Sequence, residues 1–290
     1  MNVNLKIPAD LAHATRLVRS GNLMEATHAI QRALGGTPPA AQYGPGPARD
    51  PAPEQGRVLT GAFANSAGRR SYKTYLPSAH AAQGLPLIVM LHGCKQNPDD
   101  FAAGTRMNQL AEEFGFAVVY PAQCGKANVS GCWNWFQRAH QQREAGEPSL
   151  IAGITREAIA NHRLDARRVC VAGLSAGGAM AAVMGATYPE LYSALGIHSG
   201  LEYASARDLR SALAAMKGRP AAHRRGADYA RRVPMIVFHG DRDTTVHPSN
   251  GERLMVETLE KTEKGHANGR TYTRTTYWNA SGERRVLRLL

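Results

Sequence analysis

The residues with the clearest chemical potential lie in a glycine-rich segment near the middle of the chain. Ser175 stands at the centre of Gly173-Leu-Ser-Ala-Gly177, between an apolar run and a helical pattern. This spacing is typical of a sharp strand-to-helix turn that exposes a nucleophilic hydroxyl, because glycines avoid clashes at the bend. The N–H group of Ala176 would begin the helix and point toward a developing oxyanion. The pattern predicts acyl transfer through Ser175, and the alternative is a turn whose glycines serve packing alone.

A second oxyanion donor is predicted in the segment His92-Gly-Cys-Lys-Gln96, which follows the apolar run 85–91. Sites of this kind take one donor from the nucleophile turn and another from the loop after an earlier strand. We predict that the N–H group of Cys94 is this donor, with Gly93 as second choice. The alternative is that His92 and Gly93 simply end a strand.

Two aspartates, Asp241 and Asp243, follow the apolar run 233–238 downstream of Ser175. A carboxylate in such a loop would orient a histidine base and stabilise its protonated form. We predict that Asp243 is this acid, because the pattern His-Gly-x-x-Asp-x-x-Val resembles the acid loop of many α/β-hydrolases. Asp241 is then a loop-capping residue. The alternative is that both aspartates only form turns.

The base has no obvious candidate. The expected order along the chain is Ser, Asp, His, and only His247 and His266 follow Asp243. His247 is predicted to open a helix and His266 to lie in a polar loop, so both are interpreted as surface structure. Three further histidines end apolar runs and are predicted to support the site: His92, His198 and His239.

Aromatic side chains cluster in Cys132-Trp-Asn-Trp-Phe136, on a loop predicted to lead toward the site. Trp133 and Trp135 are predicted to bind substrate, as a platform for an acyl chain or a polymer surface. The alternative, equally weighted, is that both rings fill the core beneath a long loop.

Cysteine usage and the N-terminus bear on the compartment. Cys94 could pair with Cys124 or Cys132, but reduced thiols are the default expectation, and Cys170 is predicted to be a buried thiol. The first residues lack the apolar core and cleavage site of a secretory signal. The cytoplasm is therefore the expected location.

The charge distribution and the absence of certain sequence patterns argue against several other classes of function. The formal net charge is +12, but the arginine pairs are dispersed, which favours a solvated surface over a nucleic-acid site. No stretch approaches the roughly 18 apolar residues of a membrane-spanning helix. The histidines lack metal-ligand spacing and there is no phosphate-binding loop, so no metal or cofactor is expected. The oligomeric state is not predicted.

The predicted elements alternate between strand and helix. A helical hairpin is expected over residues 1–34, a Pro- and Gly-rich linker over 35–55, and a catalytic domain over 56–290. Such alternation predicts a mainly parallel central sheet with helices on both faces. The expected strands are 57–64, 71–76, 85–91, 116–120, 169–173, 194–198, 233–238, 271–277 and 285–290. The expected helices are 98–114, 149–162, 176–187, 204–217 and 248–262, and a hairpin turn is expected at 279–282.

Six motifs occur in a recognisable order: Leu91-His-Gly-Cys-Lys-Gln96, then residues 120–123, 132–136, 168–181, 198–200 and 239–248. Together they resemble the polyhydroxybutyrate (PHB) depolymerase family of esterases, which is similar to acetylxylan and feruloyl esterases. The resemblance runs from about residue 57 to 290. It implies an α/β-hydrolase fold and a serine esterase acting on short-chain esters or polyhydroxyalkanoate-type polyester through a Ser175 acyl-enzyme. For many relatives it also implies an extracellular setting.

The resemblance departs at the C-terminal end. Family members continue past a strand like 284–290 into a Gly-x-Gly-His-Ala-Trp-Ser-Gly-Gly stretch that supplies the base, and no segment of this sequence matches it. The expectation is therefore a hydrolase domain lacking its last segment. The alternative is a catalytically inactive binding protein with the same fold.

Overall fold

The computed structural model describes residues 56–78, 84–219, 233–255, 259–267, 269–278 and 284–289. The helical hairpin predicted over 1–34, the linker predicted over 35–55 and the turn predicted at 279–282 lie outside these residues. No helix in the described part is long and apolar enough to cross a bilayer.

A single twisted sheet organises the described residues. Its strands follow the order β1-β2-β4-β3-β5-β6-β7-β10-β9-β8. Strands β4, β3, β5, β6, β7 and β10 run parallel, whereas the strands at both ends pair antiparallel. The bounds are β1 (Arg57–Asn65), β2 (Gly68–Leu76), β3 (Leu87–Leu91), β4 (Ala117–Pro121), β5 (Val169–Leu174), β6 (Ala194–His198), β7 (Met235–Phe238), β8 (Leu259–Ala267), β9 (Arg270–Trp278) and β10 (Arg284–Leu289).

Helices cover both faces of this sheet. Their bounds are α1 (Pro98–Thr105), α2 (Met107–Phe114), α3 (Gly146–His162), α4 (Ala176–Thr187), α5 (Leu209–Met216) and α6 (Ser249–Arg253). Side chains of β3 alternate between the two layers: Leu87 and Val89 pack with α3 and α4, whereas Met90 packs with α1 and α2. Because both faces are covered, the central strands are apolar throughout, as buried parallel strands require. The predicted mainly parallel sheet with helices on both faces is confirmed.

Two of the predicted helices differ in extent from those observed. Helix 98–114 is interrupted at Arg106, whose backbone is left-handed with φ 54°. Helix 204–217 begins only at Leu209, because the Asp208 carboxylate caps the helix by accepting the N–H of Ser211 at 2.7 Å.

The helix predicted over 248–262 is wrong. Only α6 is helical there, and Leu259–Ala267 instead forms strand β8, paired antiparallel with β9. The Lys- and Glu-rich sequence favours a helix locally, but pairing across the strands overrides this preference. The hydroxyls of Thr262 and Thr275 meet at 3.1 Å, and Glu263 forms an ion pair with Arg274.

Candidate active site

Ser175 lies in the sharp turn between β5 and α4, with φ 55° and ψ −117°. Residues other than glycine rarely adopt this backbone conformation. It is typical of functional turns that the surrounding structure holds in place. The turn is held on one side by the Ser175 N–H group, which donates to the His198 carbonyl at 2.8 Å. A Cβ at Gly177 would lie 2.0 Å from the carbonyl oxygen of Leu91, so this position accepts only glycine. The strand-to-helix turn predicted from the glycine spacing is therefore present.

Residues 92–96, called the oxyanion loop below, approach Ser175 closely. A Cβ built on Gly93 would lie 3.7 Å from the Cβ of Ser175. The N–H group of Gly93 is already used, because it donates to Gln96 Oε1 at 2.9 Å. Among the described residues, the N–H groups of Cys94 and Ala176 have no hydrogen-bond acceptor. These two amides, and not Gly93, are free to bind an oxyanion.

The loop after β7 holds the predicted acid. Asp243 Oδ1 accepts the N–H groups of Thr245 and Val246, each at 2.9 Å. Desolvation raises the pKa of Asp243, but the hydrogen bonds from Val246, Thr245 and the Ser199 side chain outweigh it, so the pKa lies below its ordinary value. Asp241 is exposed. Asp243 is thus the carboxylate of this loop that backbone hydrogen bonds hold in place.

A disulfide joins Cys94 to Cys132. It links the oxyanion loop to residues 132–136, called the aromatic loop. The expectation of reduced thiols is therefore wrong for this pair, because folding brings together two residues separated by 38 positions. Cys124 and Cys170 are free, and both are half-buried.

The substrate platform predicted at Trp133 and Trp135 is wrong. Trp133 is 0% exposed and Trp135 is 5% exposed, so neither ring offers a surface to a substrate. The Trp133 indole N–H donates instead to the carbonyl of His92 at 3.0 Å. Both rings belong to the main hydrophobic core. Trp133 supports the oxyanion loop from beneath.

The profile of the family described as "Esterase PHB depolymerase" matches residues 70–276. The chain belongs to this family. It is 35% identical over 214 residues to poly(3-hydroxyalkanoate) depolymerase C of Paucimonas lemoignei, covering 70% of this chain and 50% of that protein. It is 34% identical over 206 residues to feruloyl esterase B of Neurospora crassa, covering 65% of this chain and 67% of that protein. The chain thus spans about half the length of the Paucimonas depolymerase.

A solved structure has the same fold. The acetyl xylan esterase from Aspergillus awamori superposes with a TM-score of 0.66 and 21% identity, covering 80% of this chain and 92% of that one. The likeness confirms the α/β-hydrolase fold that the motifs of the PHB depolymerase family implied.

Two histidines lie close to Asp243, the predicted acid. His239 is buried, and its Nε2 lies 2.7 Å from the carbonyl oxygen of Val246 and 3.7 Å from Asp243 Oδ2. His198 ends β6 and stacks on Phe238 with ring centroids 6.1 Å apart. Desolvation lowers the pKa of His198, and His239 lowers it further, against the opposing effect of Asp243. The supporting role predicted for both residues stays a prediction.

The two histidines that follow Asp243 in the sequence lie in other parts of the fold. His247 precedes α6, and its Nδ1 lies 2.9 Å from Ser249 Oγ. His266 lies on β8, not in the predicted loop, and is exposed. Within the described ranges, no imidazole is hydrogen-bonded to the hydroxyl of Ser175. The base is therefore not assigned among these residues.

A buried polar cluster surrounds Glu147, which the sequence motifs do not indicate. Glu147, in the first turn of α3, is 0% exposed and forms an ion pair with Arg70, itself buried. It also accepts hydrogen bonds from Asn134 and from the side chain of Gln123. An acidic residue at a helix N-terminus is common, so no local signal distinguishes Glu147 from an ordinary surface residue.

The disulfide gives a direct stability prediction. Cys132→Ser removes the cross-link and leaves the Cys94 amide in place. Closing a loop of this length stabilises a folded chain by about 3–4 kcal/mol, so we expect the free energy of unfolding to fall by that order. Urea unfolding measures it, with Cys124→Ser as the control because Cys124 is a free thiol. Equal midpoints for the two variants would contradict the prediction.

Proposed function

We propose that this protein hydrolyses carboxylic esters through an acyl-enzyme on Ser175, acting on short-chain esters or polyhydroxyalkanoate-type polyester. One observation carries the proposal. A hydroxyl at a strained strand-to-helix turn faces a loop, and each of the two elements presents an unpaired amide, from Ala176 and Cys94. Two such donors stabilise the negative charge that develops on an ester carbonyl during acyl transfer.

The proposed reaction has two similar halves. Ser175 Oγ attacks the ester carbonyl carbon while a base takes its proton, and the carbonyl oxygen becomes an oxyanion bound by the two amides. Collapse of this intermediate breaks the bond to the alcohol, which leaves with the proton. Water then attacks the acyl group on Ser175 in the same manner, releasing the acid and restoring the hydroxyl.

Asp243 is proposed to orient the base. Strand β10 runs parallel to β7, with Leu289 opposite Phe238. The carboxyl ends of parallel strands meet at one edge of a sheet, so β10 ends at the edge from which the Asp243 loop departs. A histidine following a strand like β10, as the family resemblance implies, would stand beside Asp243.

The second candidate function is a binding protein of the same fold without catalysis. It is favoured by the observation that no imidazole in the described part of the chain is hydrogen-bonded to the hydroxyl of Ser175. Such a protein would bind esters and release them unchanged.

A covalent probe separates these two functions. The protein is treated with a fluorophosphonate, which reacts only with an activated serine, and the adduct is mapped by mass spectrometry. We expect a single adduct on Ser175, absent after denaturation, together with hydrolysis of p-nitrophenyl butyrate. An unlabelled protein that still binds the ester would support the binding function instead. Parallel assays on polyhydroxybutyrate film then distinguish polymer from small esters.

An oxidising compartment is part of the proposal. Disulfides persist in extracellular and periplasmic settings and are rare in the reducing cytoplasm. The Cys94–Cys132 bridge therefore supports the extracellular setting that the family resemblance implies over the cytoplasmic location expected from the N-terminus. Thiol titration of protein isolated from each cell fraction, under conditions that block exchange, tests this choice.

A further inference from the structure

We infer that Glu147 is a positioning residue for the oxyanion loop, acting through Gln123 and His92 on the amide of Cys94. This inference rests on the proposed function, because it assigns a role in aiming one of the two proposed oxyanion donors. Within the described residues, no hydrogen bond or ion pair joins Glu147 directly to the oxyanion loop, and a chain of hydrogen bonds connects the two instead.

Glu147 is the centre of this chain. Its Oε2 accepts the backbone N–H of Asn134 at 2.7 Å, and its Oε1 accepts the Asn134 side-chain amide at 2.8 Å. Oε1 also accepts the side-chain amide of Gln123 and lies 3.2 Å from the guanidinium of Arg70. A carboxylate this deeply buried is stable only when such partners replace water.

His140 is not the cation of this cluster, although its Nδ1 lies 3.8 Å from Glu147 Oε2. The backbone N–H of Glu147 donates to this nitrogen at 3.0 Å, so Nδ1 carries no proton. Burial lowers the pKa of His140, and Arg70 lowers it further, against the attraction of Glu147. Arg70 therefore supplies the compensating charge.

The next link connects Gln123 to His92. The backbone N–H of Gln123 donates to His92 Nε2 at 3.1 Å. Because Nε2 accepts, the proton of a neutral imidazole must lie on Nδ1. Burial lowers the pKa of His92, which keeps the ring neutral. The position of Gln123 thus fixes the tautomer of His92.

The last link reaches the oxyanion donor. His92 Nδ1 lies 2.8 Å from the carbonyl oxygen of Gly93, to which it can donate only in this tautomer. The Gly93 carbonyl and the Cys94 N–H belong to the same planar peptide group and point in opposite directions. Holding the carbonyl therefore aims the Cys94 N–H. Glu147 also secures the aromatic loop through two side-chain amides. The amide of Asn134 belongs to this loop and donates to Glu147. The amide of Gln123 donates both to Glu147 and to the Cys132 carbonyl, the latter at 2.9 Å.

The test compares Glu147→Gln with Thr155→Val. Thr155 is a buried residue of the same helix, and its hydroxyl is hydrogen-bonded to the Ile151 carbonyl and to the Tyr192 hydroxyl. Thr155→Val therefore also removes hydrogen bonds from a buried position of α3, but outside the Glu147 cluster. Misplacing a catalytic group by about 1 Å costs up to about 100-fold in rate. We expect Glu147→Gln to lower kcat by about 10- to 100-fold at nearly unchanged KM, and Thr155→Val to leave kcat unchanged.

A spectroscopic readout is independent of catalysis. Nitrogen NMR of labelled histidine, with His92 assigned through its loss in His92→Gln, reports which ring nitrogen is protonated. We expect Nδ1 to be protonated in the wild type and a mixture of tautomers in Glu147→Gln and in Gln123→Ala, which cuts the same link from its other side. An unchanged His92 signal in both folded variants would overturn the inference. If the wild type lacks hydrolysis, the proposed function fails while this measurement still decides the role of Glu147.

Discussion

Replacing Ser175 with alanine is expected to lower kcat/KM for p-nitrophenyl butyrate by about 1,000-fold or more. The alanine keeps the Cβ and the backbone of the turn, and the amides of Ala176 and Cys94 remain in place. The variant therefore loses the attacking oxygen alone. Because the φ of 55° is equally costly for serine and alanine, the free energy of unfolding should stay near the wild-type value.

Ser193→Ala is the matched control for this substitution. Ser193 precedes β6, and its hydroxyl donates to the carbonyl of Val169 at the start of β5. It therefore lies at the opposite edge of the sheet from Ser175, which follows the end of β5. Initial rates and urea unfolding are measured for both variants. Hydrolysis that survives in Ser175→Ala, or falls equally in Ser193→Ala, would contradict the role of Ser175.

The nucleophile turn could be predicted from the sequence because its signal is local. Only glycine tolerates the approach of Gly177 to the carbonyl of Leu91. The glycines that the turn needs therefore lie within the five consecutive residues 173–177. The central strands were predictable for a similar reason. Strands buried on both faces are continuous apolar runs, and their order follows from the alternation with helices.

Features that depend on distant contacts could not be read in this way. The indole of Trp133 is aromatic in either role. Only its complete burial, with its N–H group bound to the His92 carbonyl 41 positions away, identifies it as core. Glu147 and Arg70 are separated by 77 positions. The helix predicted over 248–262 failed because pairing with β9 outweighs local preference. Unlike the first two partners, β9 is close in sequence, since it begins three residues after β8 ends. A preference assigned residue by residue does not include the pairing between the two strands.

The two aspartates of the acid loop offer the sharpest internal comparison. Asp243→Asn is expected to lower kcat by about 1,000- to 10,000-fold, the loss seen when the acid of a serine triad becomes an amide. An amide neither stabilises a protonated imidazole nor fixes its tautomer. Asp241→Asn removes the same charge two residues away from an exposed position, and we expect near wild-type rates. Equal losses of kcat in both variants, or a larger loss in Asp241→Asn, would contradict the assignment of Asp243 as the acid.

The pH dependence of stability tests the same carboxylate without any substrate. The hydrogen bonds from Thr245, Val246 and Ser199 hold the pKa of Asp243 below its ordinary value despite desolvation. A depressed pKa stabilises the folded state above the unfolded value, about 3.9 for aspartate. That contribution disappears as the pH falls through the lower folded value. The difference in free energy of unfolding between wild type and Asp243→Asn should therefore be largest near neutral pH and shrink below about pH 4. A difference that grows on acidification would mean that the carboxylate is protonated in the folded protein, and Asp243 would then be unable to hold a catalytic imidazole.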